Sequence, residues 1–79
     1  MSNFDTFIQV YAEQLEKAVT NYPNEYFWPV ANVPTVVQKM ADALKTKTYN
    51  KDGRAIKATC KILGIKHTYT AINAYLEAA

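Results

Sequence analysis

Apolar residues recur every three or four positions from the start of the chain. Phe4, Phe7, Ile8, Tyr11, Leu15, Ala18, Val19 and Tyr22 share one side of a helical wheel, and Glu13, Glu16, Lys17 and Thr20 share the other. That spacing predicts an amphipathic helix over 3–21. Ser2 and Asp5 stand at capping-box spacing, Asp5 suits the positive end of the helix dipole, and Pro23 stops the helix. A second stripe (Val36, Val37, Met40, Ala43, Leu44) predicts a helix over 34–45 with Pro34 at its first position. A third helix is expected over 53–63, with Ile56, Thr59, Cys60, Leu63 and the flanking Ile62 inward. Asp52 is its expected N-cap, and Gly64 takes the left-handed residue past its end. Thr68 caps a fourth helix that runs to Glu77, with Tyr69, Ala71, Ile72, Tyr75 and Leu76 inward and Thr70, Asn73, Ala74 and Glu77 outward. Nothing alternates as a strand would. The expected fold is all-α: four short helices in a compact bundle, a single domain over 1–79, with a helix-turn-helix-like hairpin at its C-terminal end.

Two segments interrupt the helices. Between Pro23 and Pro29 stand three adjacent aromatics, Tyr26, Phe27 and Trp28, which cannot all face one way. Some should plug the small core, and one is left to meet a protein partner or a base. The polar run 46–51 reads as loop, with Tyr49 placed to anchor it on the core and Asn50, Asp52 and Gly53 supplying turn chemistry.

Composition narrows the class. The chain has 79 residues, 49% of them hydrophobic, which is enough for one core and argues against disorder. Its one cysteine, Cys60, excludes an internal disulfide and fits a reducing compartment. No apolar run approaches a bilayer span, and the first residues carry no signal-peptide pattern, so the expectation is a cytoplasmic protein without membrane contact. No catalytic residue is assigned. Cys60 falls on an inner helical arc away from His67, no ligand set for a metal is present, and two glycines make no phosphate loop, so neither enzyme activity nor a cofactor is expected.

Charge gives the one functional lead. The net charge is only +2, but it is unevenly spread. Residues 1–38 hold one cation against four anions; residues 39–70 hold eight cations against two anions. That asymmetry fits an acidic partner such as DNA, although a solvated helix face is the plainer reading. In a helix-turn-helix the first helix crosses the phosphates and the second reads bases. On that scheme Arg54, Lys57 and Lys61, with Lys66 and His67 in the turn, meet phosphate, and Thr70 and Asn73 face base edges. The fourth helix lacks Arg, Lys or Gln on its outer face and ends in Glu77, so weak sequence specificity is expected. The rival is a protein-interaction module in which Tyr26, Phe27 and Trp28 dock a host protein or a second copy of the chain.

The run GRAIKATCKILGIKHTYTAINAYL, with the upstream YPNEYFWPV and VPTVVQKM, resembles small uncharacterised proteins of tailed bacteriophages and prophages. The resemblance covers residues 22–76. It implies a phage origin, expression in the cytoplasm of a bacterial host, and a role as a DNA-binding regulator or an inhibitor of a host protein. It transfers no catalytic residue.

Overall fold

The computed structural model describes residues 2–78 and is all-α. Its helices are α1 (Asn3–Asn21), α2 (Val33–Thr46), α3 (Arg54–Leu63) and α4 (Tyr69–Glu77), and a 3-10 turn (Val30–Asn32) leads into α2. No strand is present among the described residues, and no helix is long and apolar enough to cross a membrane.

The long helix α1 is the hub. Phe7, Tyr11, Leu15 and Val19 recur every fourth residue, and this buried stripe packs against α2, α3 and α4 in turn. Val33 and Leu44 of α2, Ala55, Ile56 and Cys60 of α3, and Ile72 of α4 complete the core from the other side, and Tyr49 enters it from the 47–53 loop. The side-chain amide of Asn3 donates to the Tyr75 carbonyl at 3.0 Å, which ties the start of α1 to α4. Helices α3 and α4 follow one another through a short turn, but each packs on α1 more than on the other.

Local signals set the helix ends. Ser2 Oγ accepts the Asp5 N–H at 3.1 Å, and Thr68 Oγ1 accepts the Ala71 N–H at 3.1 Å, so the caps expected at the starts of α1 and α4 form. Gly64 closes α3 at φ 69°, and the Ile65 N–H reaches back to the Cys60 carbonyl at 2.8 Å, a Schellman closure. A Cβ at Gly64 would meet nothing within 4 Å, so only the left-handed backbone reserves this position for glycine. Two predicted ends shift. Helix α2 starts at Val33, one residue before Pro34, because the 3-10 turn hands over directly. The N-cap of α3 is Gly53, not Asp52: the Asp52 N–H is drawn into a turn by Asn50 Oδ1 at 2.9 Å, and its carboxylate pairs with Lys51.

The end of α2 repeats the closure of α3 with the wrong residue type. Lys47 sits at φ 58°, and the Thr48 N–H bonds the Ala43 carbonyl at 2.9 Å. An L side chain in this region costs about 1–2 kcal/mol. The Lys47 ammonium meets Glu77 at 2.7 Å, but both side chains are largely exposed, and such pairs contribute little. Lys47→Gly is therefore expected to stabilise the fold by about 0.5–1 kcal/mol. The check is a urea denaturation midpoint, which should rise with an unchanged slope; a fall would show that the ion pair outweighs the backbone strain.

Three residues assigned inward lie at the surface. Tyr22, Ile62 and Tyr69 are exposed. Tyr22 lies past the last turn of α1, where the chain leaves the helix. In α3 the arc facing α1 is Ala55, Ile56, Thr59 and Cys60, which leaves Ile62 on the flank, 56% exposed.

Candidate nucleic-acid interface

Helical spacing places Arg54, Lys57 and Lys61 on the side of α3 opposite its buried arc, and all three are exposed. Lys66 is exposed in the turn that follows. The members of this basic edge nevertheless differ in what they hold.

Arg54 is already engaged. Its Nε meets Glu25 Oε2 at 3.1 Å and its terminal nitrogen meets Oε1 at 2.7 Å, a two-pronged pair. Its guanidinium also lies over the Tyr22 ring, 3.8 Å from the centroid. Arg54 clamps the proline-bounded loop to α3, and its side chain stays 43% exposed beside the basic edge where a phosphate contact was expected of it. The Arg54 hydrogen bonds hold the Glu25 carboxyl below its usual range. That contribution to stability is present above the ordinary glutamate pKa and is lost as pH falls through the folded-state value. Lys51 and Lys47 are engaged as well, with Asp52 and Glu77. Lys57, Lys61 and Lys66 form no ion pair among the described residues.

His67 is half-buried, and its Nε2–H donates to the Lys51 carbonyl. Because a carbonyl only accepts, the proton sits on Nε2. The ring is a strut between the loop before α3 and the turn after it. Asn73 is held as well. It was placed outward, but it is half-buried, and its Oδ1 accepts the Tyr49 hydroxyl at 2.7 Å. A base-reading asparagine needs that oxygen together with its amide nitrogen. Thr70 remains exposed on α4 as expected.

The aromatic segment divides as the crowding of its side chains required. Tyr26 and Trp28 are partly buried against the core, edge to face with centroids 5.8 Å apart. Phe27 between them points away and is 88% exposed. Both the Glu25 and Tyr26 N–H groups bond the Tyr22 carbonyl, so the loop is held at its start by backbone and at Glu25 by Arg54. Between this loop and the start of α3 lies an open depression lined by Glu25, Tyr26, Asp52, Arg54 and Lys57. The sequence reading missed the Glu25–Arg54–Tyr22 assembly, since a pair 29 positions apart leaves no local signal.

Elsewhere the side chains offer little chemistry. Cys60 is 1% exposed, and burial pushes its thiol above the ordinary value, which disfavours the reactive thiolate. No three His, Cys, Asp or Glu residues gather at metal-binding distance among the described residues. Compared with known protein families, curated proteins and solved structures, the chain matches none.

Proposed function

We propose that this protein binds nucleic acid through its phosphate backbone, along the exposed face formed by Lys57, Lys61 and Lys66. The observation that supports the reading best is the division of charge around α3. Glu25, Asp52 and Glu77 are matched by Arg54, Lys51 and Lys47, while Lys57 and Lys61 of α3 and Lys66 just after it have no carboxylate partner among the described residues. Phosphates would provide the missing anions. With Asn73 engaged by Tyr49, only Thr70 of the two assigned base readers remains available, so binding should be nearly indifferent to sequence. The resemblance to small phage proteins gives this reading its setting, a regulator at work in a bacterial host cell.

The test is fluorescence anisotropy with a labelled duplex at several salt concentrations. Three phosphate contacts imply a log–log salt slope of about −2.7, or a roughly fortyfold loss of affinity between 50 and 200 mM salt. Lys57→Glu with Lys61→Glu should weaken binding at least about tenfold. Salt-independent binding, or affinity unmoved by the double variant, would refute the reading. The rival, a protein-contact module, keeps Phe27 but loses Tyr26 and Trp28, whose rings are partly taken up by the core.

A further inference from the structure

We infer that the nucleic acid held on the α3 face is single-stranded, and that Phe27 is the ring on which one of its bases stacks. The inference rests on the phosphate-binding reading above and adds the class of ligand. Its own observation is the exposure of Phe27, 88% in a loop whose other two aromatics are tucked against the core. The ring adds little to the core and lies open to a contact from outside the chain.

The loop that carries the ring is held rather than loose. Pro23 and Pro29 bound its loop, the Tyr26–Trp28 edge-to-face pair fixes the residues on either side, and the Arg54 clamp on Glu25 fastens the loop to α3. A ring carried on a held loop stacks on a base without the cost of ordering the loop. The same clamp holds the loop that carries the ring against the start of α3, where the basic edge begins. Tyr26, its chain neighbour, shares one depression with Lys57, and Lys61 lies one helical turn further, about 6 Å along the axis. The two carboxylates in that depression do not repel a strand as free charges would, because Glu25 is matched by Arg54 and Asp52 by Lys51. A cationic track with an aromatic ring at its edge is the pattern that serves single strands, where backbone and unstacked bases are reached together. A duplex keeps its bases stacked and offers Phe27 nothing.

A protein contact places its anchor ring inside a water-excluding patch, with about 800 Å² buried on each partner. The other exposed large apolar side chains of this segment, Tyr22 and Val30, are each less than half open, and the Arg54 guanidinium already covers the Tyr22 ring. Phe27 is therefore the one fully open ring here, which suits a single base.

The experiment compares a labelled oligothymidine 20-mer with a duplex of equal length at low salt, using the full chain and its Phe27→Ala variant. The exposure of Phe27 predicts that the variant melts with the parent. The strand should bind more tightly than the duplex, and Phe27→Ala should weaken the strand about tenfold or more while leaving the duplex unchanged. Equal affinity for strand and duplex, or strand affinity unmoved by Phe27→Ala, overturns the stacking role and leaves the phosphate reading standing. Loss of a self-association by the variant at constant strand affinity likewise overturns it, assigning the ring to a protein contact. If the parent binds neither probe at low salt, the phosphate reading falls and this inference falls with it.

Discussion

Replacing Phe7 with alanine is expected to remove about 3–5 kcal/mol of stability, the largest effect of any substitution considered for this protein. The side chain is 0% exposed and sits on α1, the helix on which the other three converge. Its ring meets Tyr75 of α4 at a centroid distance of 6.4 Å. Truncation removes the transfer free energy of the ring and leaves a cavity at the hub, where no neighbouring helix can close in without leaving the others. A chain of this size has about 4–12 kcal/mol in total, so the variant should be close to unfolded at 37 °C. Thermal melts followed by circular dichroism would show the midpoint falling by at least about 12 °C. A fall smaller than about 5 °C would mean that the core is not organised on α1. Phe27→Ala is the matched control, the same change at an exposed ring, and should shift the midpoint by no more than a few degrees.

These two phenylalanines also mark how far the sequence is legible. Phe7 lies in a long periodic stripe, and a 19-residue helix repeats that evidence over five turns, so both the helix and its buried side follow from spacing alone. Caps are equally local. Ser2, Gly64 and Thr68 each act within five residues of themselves, and each does what its chemistry requires. Spacing cannot tell which neighbour covers an arc. The inner arc of α3 was drawn wide enough to hold Ile62, yet α1 covers only the part centred on Ile56 and Cys60. The site was less legible still. Arg54, His67 and Asn73 read as free polar groups, and the structure engages them with Glu25, Lys51 and Tyr49, which lie 29, 16 and 24 positions away. Nothing local encodes those pairings, because folding of the chain onto α1 creates them. Lys57, Lys61 and Lys66 kept their predicted exposure, and their charges found no partner among the described residues.

The same hub predicts an alkaline weakness. Tyr11 is 5% exposed on the buried stripe of α1, and its hydroxyl is pushed up to about 12, first by burial and then by Tyr26 beside it. In the unfolded chain this group ionises near pH 10. Below pH 10 both states keep the proton, and the contribution is fully present. Between pH 10 and 12 the unfolded chain gives up its proton while the folded chain holds it, so stability falls with rising pH by about 1.4 kcal/mol per unit. The loss from this one residue approaches roughly 2–3 kcal/mol at pH 12, a sizeable part of the whole. Tyr26 and Tyr49 are raised in the same direction, again chiefly by burial, and they add to the slope. The discriminating variant is Tyr11→Phe, which keeps the ring in the core and deletes its titration. Urea unfolding at pH 8, 10, 11 and 12 should give parent and variant curves that run parallel up to pH 10 and then converge or cross, the variant losing less. Curves that stay parallel to pH 12 would show that Tyr11 ionises as freely in the folded protein as in the unfolded chain. Its place in the core, and with it the inward side of α1, would then be wrong.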